Sequence, residues 1–273
     1  MASCAPLTAC HVGIQDAPRW AILPAMQAVR PPAVAGSFYP ADPSQLRALV
    51  ARLLAAAPYG APPKALIAPH AGYVYSGPVA AAVFRRLEDT AVRRIALLGP
   101  AHFTLLRGAA LPDAAAMRTP LGDLPIEDPG LPRSAAAHAG EHSLEVELPF
   151  LQVALPAFSL VPLAVGDADP EEVAAILDGL WGGAETVIVV SSDLSHYLQY
   201  DDARRADAAT AKQILALGRL THEDACGATA INGLLLAAKR REMRADLVDL
   251  RNSGDTAGDK GRVVGYGAFA FYD

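Results

Sequence analysis

The feature that most constrains the fold is the alternation of short apolar runs with longer alanine-rich stretches. The apolar runs are rich in isoleucine, valine and leucine, and they predict strands over residues 65–68, 95–98, 160–165, 187–190 and 263–271. The intervening stretches are amphipathic and predict helices over residues 43–56, 78–87, 170–181, 203–217 and 227–240. Apolar strands separated by helices are typical of a sheet that is buried on both faces. The sequence therefore predicts an α/β fold with a mixed, mostly parallel sheet flanked by helices on both faces.

Two proline pairs, at residues 31–32 and 62–63, mark irregular boundaries near the start of the chain. Beyond them, no internal repeat or low-complexity linker interrupts the pattern. We therefore predict an irregular N-terminal extension over residues 1–27 and one α/β domain over residues 28–273. The extension has no lysine or arginine ahead of an early apolar run, so it does not have the layout of a signal peptide.

Charge and hydropathy argue against two classes of partner. The formal net charge at pH 7 is −6 and the sequence pI is about 5.6, which leaves no broad basic surface for nucleic acid. No apolar segment approaches the roughly 20 uninterrupted residues that a membrane-spanning helix needs. Cys4, Cys10 and Cys226 form no tight spacing, which argues against a disulfide framework and fits a reducing compartment. We expect a cytoplasmic protein without a nucleic-acid or membrane partner.

Three of the predicted strands are followed by the same kind of residue. ALIAPH ends on His70, IALLGPAH ends on His102, and VIVVSSDLSH contains Asp193 and ends on His196. Ligands of open α/β sheets bind outside the carboxyl ends of the strands, so these side chains are expected to converge there. The alternative is that each histidine is a turn residue or helix cap with only local hydrogen bonds. Because imidazole is the commonest metal ligand, and its tautomer needs a second group such as Asp193 or a carbonyl, a metal site is favoured.

Cys226 lies where a loop enters a predicted helix, in the segment DACGATAING. A thiolate at that position would be stabilised by the positive end of the helix dipole and would be a candidate metal ligand. The alternative is that Cys226 fills space, since free cysteine is among the most buried residue types.

The segment HAGEHSLEVELPF holds a second group of candidate residues: His138, Glu141, His142, Glu145 and Glu147. His138 and His142 are four residues apart and would share one face of a helix. The zinc-peptidase pattern HExxH is absent, which argues against a protease. The alternative for this segment is a solvated acidic helix start.

The glycine-rich stretch RNSGDTAGDKGRVVGYGAFAFY leads into the last predicted strand. Asp255 and Asp259 are candidates to bind substrate or a further cation, although glycine-rich loops before a final strand are common. The chain has neither a G-x-S-x-G nucleophile elbow nor a Walker A phosphate loop. Serine hydrolase and NTPase activities are therefore disfavoured.

Seven motifs together resemble the MEMO family along nearly the whole chain after Gln27. In order they are AGSFYPAD, APHAGYVYSGPVAA, LLGPAHF, EHSLEVELPFLQ, SSDLSHY, ACGATAI and NSGDTAGDKGRVVGYGAFA. The resemblance implies a fold similar to that of the class III extradiol dioxygenases. It also implies the B component of a set that includes an AMMECR1-like protein and a radical SAM protein as partners.

The resemblance also selects among the candidate residues. The residues on the family's metal-ligand positions are His70, His102 and Cys226. The residues implied to line the same pocket, in catalytic roles, are His142, Asp193 and His196. The related dioxygenases hold Fe(II) with two histidines and a carboxylate, so Fe(II) is the expected cofactor. Copper or zinc is the alternative, because a thiolate in place of the carboxylate favours softer ions.

The function implied by the resemblance is that of a mononuclear non-haem iron oxidoreductase of extradiol dioxygenase type. Its small-molecule substrate would be an aromatic or an enolised carbonyl compound, with His196 as acid and base and Asp193 orienting that imidazole. One alternative is a non-catalytic iron- or copper-binding redox protein. Another is an interaction component that works with the AMMECR1-like and radical SAM proteins, since a fold alone does not specify a function.

Overall fold

A computed structural model describes Met1 and residues 29–273 of the chain. The predicted extension over residues 1–27, Met1 apart, lies outside the described residues, as do Cys4 and Cys10. The described strands are β1 (Ala65–Ala68), β2 (Arg94–Pro100), β3 (Ala109–Ala110), β4 (Ala116–Thr119), β5 (Gly122–Pro125), β6 (Ser159–Val165), β7 (Thr186–Ser191), β8 (His196–Leu198), β9 (Arg244–Asn252) and β10 (Val263–Tyr272). The described α-helices are α1 (Pro43–Ala56), α2 (Tyr73–Phe84), α3 (Ala135–His138), α4 (Leu148–Ala154), α5 (Pro170–Leu180), α6 (Tyr200–Leu215), α7 (Ala228–Arg240) and α8 (Ser253–Thr256).

Eight of the strands form a central mixed sheet in the order β3-β6-β2-β7-β1-β10-β8, with β9 paired to β10. The four strands at its centre, β6, β2, β7 and β1, are parallel neighbours. Strand β10 runs antiparallel to β1, β8 and β9, and β4 and β5 form a separate two-stranded sheet. Every residue of β1 and β7 is buried, as expected for strands covered on both faces. The predicted fold class is confirmed.

The sheet separates two hydrophobic cores, because successive side chains of a strand point to opposite faces. Leu66 of β1 packs in one core, with residues of α1, α2 and α4. Its neighbour Ile67 packs in the other core, with residues of α5, α6 and α7. Burying a leucine, isoleucine or phenylalanine side chain contributes roughly 1.5–3 kcal/mol, so the two cores hold the strand ends in fixed positions. No helix among residues 29–273 is long and apolar enough to cross a membrane.

The predicted elements agree with the structure where apolar runs or capping residues mark them. Strand β1 and helix α1 match residue for residue, and α1 begins at Pro43 behind the capping carboxylate of Asp42. Helix α2 differs, because it begins at Tyr73 and not at residue 78. Pro78 lies inside this helix, where its missing N–H frees the carbonyl of the exposed residue Val74. Strand β9 was not predicted, because its half-exposed charged residues interrupt any apolar run.

Candidate metal centre

The carboxyl ends of three neighbouring parallel strands carry the candidate residues. His70 follows the end of β1 by two residues, His102 follows β2 by two residues, and Asp193 follows β7 by two residues. Strand β7 lies between β1 and β2, so the three strand ends are adjacent. His142 reaches the same place from the segment between α3 and α4. The predicted convergence of the strand-end residues is thus found.

Three imidazoles form the centre of this cluster. His70, His102 and His142 each offer a ring nitrogen, and these three atoms lie within 4.8 Å of one another. The rings of His102 and His142 stack with centroids 4.9 Å apart, and the ring of His70 stands edge-on to both. Converging imidazole nitrogens are suitable ligands for iron, copper or zinc. The donor set therefore fits a transition-metal ion, without specifying which one.

The tautomer of His102 is set by Glu141. Nδ1 of His102 lies 3.0 Å from Oε1 of Glu141, which also accepts the backbone N–H groups of His142 and Ser143. Burial alone would raise the pKa of Glu141, but these hydrogen bonds outweigh it and lower the pKa to about 2. The carboxylate is therefore ionised at neutral pH and accepts a proton of the ring at Nδ1. This arrangement leaves Nε2 of His102 available to a metal.

His70 is the most deeply buried of the three histidines, with 2% of its surface exposed. Its Nδ1 lies 2.7 Å from the hydroxyl of Ser191, and its Nε2 lies 3.3 Å from the sulfur of Cys226. Burial, followed by the nearby His102 and His142, holds the pKa of His70 well below its usual value. The ring is therefore neutral, which is the form that binds metals.

Cys226 lies two residues before Ala228, the first residue of α7, in agreement with its predicted position at a helix start. Burial raises the pKa of the Cys226 thiol to about 12, and the charge of Asp193 is the second largest cause of this increase. Hydrogen bonding with Ser192 and with the backbone at Gly227 lowers this pKa, but burial outweighs it. The thiol keeps its proton at neutral pH unless a metal ion displaces it. Its sulfur nonetheless lies beside a ring nitrogen of the histidine cluster.

Asp193 and His196 occupy different parts of the site. The carboxylate of Asp193 accepts the backbone N–H of His70 at 2.9 Å, and burial raises its pKa to about 7 against the effect of that bond. His196 is exposed, and its imidazole interacts with the carbonyl of Leu194. No hydrogen bond joins the side chains of Asp193 and His196 in the described chain. Asp193 therefore supports the backbone at His70, and its predicted orientation of His196 stays a prediction.

The segment HAGEHSLEVELPF divides between the site and the core. His142 joins the cluster, whereas His138 is buried, with Nε2 2.8 Å from the carbonyl of Ala110. Burial lowers the pKa of His138 to about 4, which keeps it neutral. The three glutamates are also buried, so the alternative of a solvated acidic helix start is wrong.

Glu145 fixes the loop that forms one wall of the site. Its carboxylate accepts hydrogen bonds from the guanidinium of Arg30, the hydroxyl of Tyr39 and the backbone N–H groups of Ala33 and Val34. This loop carries Phe38, whose ring packs edge-on against His142 at 5.0 Å. A buried carboxylate thus holds an aromatic ring against the candidate metal site.

The histidine cluster opens into a cavity of about 670 Å³. Its lining includes several aromatic side chains: Phe38, Tyr75, Phe103, Tyr197 and Tyr266. Asp193, His196 and Asp259 also line it, whereas Asp255 accepts hydrogen bonds from the backbone N–H of Asn252 and the hydroxyl of Tyr200. Cys226 faces a second cavity, of about 370 Å³, which also reaches His102. The site is therefore approached from two sides, with the three histidines on the larger cavity.

Two residues of the site were not predicted as functional. Ser191 and Glu147 lie behind His70 and are fully buried. Ser191 directly follows the predicted strand over residues 187–190, and Glu147 was named only as part of an acidic segment. Their proximity to His70 depends on the packing of distant parts of the chain, which no local pattern reports.

A mixed α/β sheet with three histidines gathered over its carboxyl edge defines a class of proteins with a candidate metal centre. Within that class the chain belongs to the Memo-like family, because the family model described as "Memo-like protein" matches residues 30–270. The predicted resemblance to the MEMO family is confirmed.

Curated relatives cover almost the same span. A MEMO1 family protein of Aquifex aeolicus (strain VF5) is 36% identical over 264 residues, which cover 87% of this chain and 97% of the relative. One of Archaeoglobus fulgidus is 34% identical over 272 residues, covering 89% and 99%. One of Sulfolobus acidocaldarius is 32% identical over 283 residues, covering 90% and 100%.

Proposed function

We propose that this chain is a metal-dependent oxidoreductase of the mononuclear non-haem iron type. The observation that supports this most directly is the cluster of His70, His102 and His142 at the floor of an aromatic-lined cavity of about 670 Å³. A cavity of this size accommodates a small planar molecule next to the imidazoles. The proposed substrate is accordingly a small aromatic or an enolised carbonyl compound.

The proposed ligands are His70, His102 and Cys226, and His142 is a further donor within reach. His70 and His102 have their Nδ1 atoms occupied by Ser191 and Glu141, so both direct Nε2 towards the centre. The Cys226 sulfur lies 3.3 Å from Nε2 of His70, close enough to share one ion with it after losing its proton. Bound Fe(II) would supply coordination of substrate oxygens and electron transfer to O₂.

The remaining residues of the site would handle protons and exclude water. His196 lies on the cavity, and its pKa is lowered by partial desolvation, with the nearby His102 acting in the same direction. A neutral imidazole at this place is suited to accept a proton from a hydroxylated substrate. Phe38 packs against His142 and would keep water away from the reacting atoms.

Oxygen consumption tests this proposal. Iron-loaded protein is mixed with catechols and 1,3-dicarbonyl compounds, and O₂ uptake is followed in the wild type, His196→Ala and His70→Ala. We expect His70→Ala to be inactive, and His196→Ala to keep its iron but lose roughly 100-fold or more in rate. Asp123→Ala, which changes an exposed side chain that lines neither cavity, is the control and is expected to match the wild type.

Two alternatives are supported by other observations. Iron or copper that binds without any O₂ uptake would support a redox protein without substrate turnover, and the thiol of Cys226 favours this reading. Side chains exposed beside His102 favour an interaction component, because Phe103 is 69% exposed and Leu105 is fully exposed. An AMMECR1-like protein and a radical SAM protein are the partners proposed for that role.

A further inference from the structure

The hydroxyl of Ser191 has three polar neighbours at the same short distance. Nδ1 of His70, the backbone carbonyl of Ser143 and Oε1 of Glu147 each lie 2.7 Å from its oxygen. The side chains of His70, Ser191 and Glu147 are all buried, and those of Ser191 and Glu147 are fully inaccessible to solvent. A serine hydroxyl has one hydrogen to donate and two lone pairs that accept. Its three contacts therefore consist of one donated and two accepted hydrogen bonds.

The chemistry of the neighbours decides which contact is which. A backbone carbonyl only accepts, so the hydrogen of Ser191 points to Ser143. The other two neighbours must then be donors. His70 consequently carries its ring proton on Nδ1, and Glu147 carries a carboxylic acid proton on Oε1.

The surroundings of Glu147 agree with a neutral acid. Oε2 of Glu147 is buried and has no hydrogen-bond partner among residues 29–273. No arginine or lysine in that range forms an ion pair with Glu147, whereas Glu145 is paired with Arg30. Burial holds the pKa of Glu147 well above its usual value. An unpaired ionised carboxylate in this position would be far more costly than the protonated form.

We propose that Ser191 and a protonated Glu147 form a neutral relay that positions His70 as its Nδ1–H tautomer and presents Nε2 to the metal. The metal part of this statement rests on the proposed function, whereas the tautomer does not. His102 obtains the same tautomer from the ionised Glu141. The site thus orients one histidine with a negative charge and the other without one. Ser191 and Glu147 are positioning residues, since neither lies among the metal donors.

Nuclear magnetic resonance of the wild-type protein tests the relay without a metal, and a variant is needed only to assign one signal. Histidine ¹⁵N shifts and their couplings to ring protons report which nitrogen of His70 carries the proton. Glutamate carboxyl ¹³C shifts report the protonation of Glu147, with its signal assigned by its loss in Glu147→Gln. We expect Nδ1–H for His70 and a protonated Glu147 at pH 7. A proton on Nε2 of His70, or an ionised Glu147, would overturn the proposal.

Binding of Zn²⁺, a diamagnetic probe, then tests what the relay does for the metal site. Ser191→Ala removes the acceptor for Nδ1–H, and we expect loss of that tautomer with about 10- to 100-fold weaker Zn²⁺ binding. Glu147→Gln keeps an N–H donor for Ser191. We therefore expect the same His70 tautomer as in the wild type and a Zn²⁺ affinity within about twofold of the wild-type value. Ser76→Ala is the matched control, because this buried hydroxyl donates to the carbonyl of Ala71 and touches no histidine of the cluster.

The outcomes separate this proposal from the proposed function. Wild-type affinity and tautomer in a folded Ser191→Ala would contradict the relay, and a Glu147→Gln as weak as Ser191→Ala would contradict its neutrality. If neither the wild type nor any variant binds Zn²⁺, Fe²⁺ or Cu⁺, the proposed function is wrong. The tautomer measurement still shows whether the relay exists. If Ser191→Ala does not fold, the wild-type spectra decide alone.

Discussion

Replacing Glu145 by alanine is expected to destabilise the protein strongly and to loosen one wall of the site. The side chain is fully buried and accepts hydrogen bonds from Arg30, Tyr39 and two backbone N–H groups. Its removal leaves the buried guanidinium of Arg30 without its carboxylate. Breaking a buried ion pair from one side costs about 3–5 kcal/mol, a large part of the roughly 5–15 kcal/mol that stabilises a typical domain.

Urea unfolding measures this change as the shift in the free energy of unfolding between the wild type and Glu145→Ala. The matched control is Asp123→Ala, which breaks an ion pair with Arg118 whose side chains are 53% and 40% exposed. We expect the control to unfold at nearly the wild-type urea concentration, because exposed ion pairs contribute little. A loss below about 1 kcal/mol in Glu145→Ala would show that Arg30 does not depend on Glu145 for its charge compensation, since a buried unpaired charge is more costly than that.

Three further predictions concern pH, a close contact and the histidine cluster. The pKa of His138 is about 4 in the fold against a usual 6.5, so the unfolded chain binds its proton first. The stability that the neutral His138 contributes is complete above about pH 6.5 and is lost as the pH falls to about 4, by roughly 3 kcal/mol in total. His138→Gln should therefore flatten the pH dependence of the urea midpoint between about pH 6.5 and about pH 4. An unchanged slope in His138→Gln would contradict this prediction. Gly227→Ala places a methyl group 2.7 Å from Cβ of Ser192 and should lower the free energy of unfolding by about 1–3 kcal/mol, measured by thermal unfolding. Gly179→Ala is the matched control, because the space around this residue is open, and it should stabilise α5 by up to about 1 kcal/mol. Phe38→Ala should leave stoichiometric metal binding intact but raise the KM of any substrate identified, because Phe38 contacts His142 from the cavity side; loss of the metal itself would show that Phe38 supports the ligands.

The parts of the fold that the sequence predicts are those with a local signal. Apolar runs locate β1, β2, β6, β7 and β10, and a capping aspartate followed by proline locates α1. Strand β9 carries alternating charges and is recognised only by its pairing with β10. Helix α2 begins at Tyr73 although Pro78 lies inside it, because the burial of most of the helix compensates for the lost backbone hydrogen bond. This compensation depends on tertiary packing and has no local sequence signal.

The same distinction holds in the site. His70, His102 and Asp193 were predictable because each follows a strand, and parallel strands end at one edge. The place of His142 beside His70 and His102 depends on the segment between α3 and α4. The resemblance assigns His142 to the pocket lining, and its position among the possible metal donors is visible only in the structure. Ser191 and Glu147 contact each other across 44 positions of the chain. Such a contact depends on the packed core and has no signature in either segment.

Metal binding by the histidine cluster can be measured directly. Protein purified without oxygen and reconstituted with Fe(II) is measured by elemental analysis, in parallel with His70→Ala, Cys226→Ala and His142→Ala. We predict close to one iron per chain in the wild type and near-complete loss in His70→Ala, with the greater loss among the other two identifying the third ligand. Absence of bound iron, copper or zinc from the wild type, or equal metal content in the wild type and His70→Ala, would show that the histidine cluster is not a metal site.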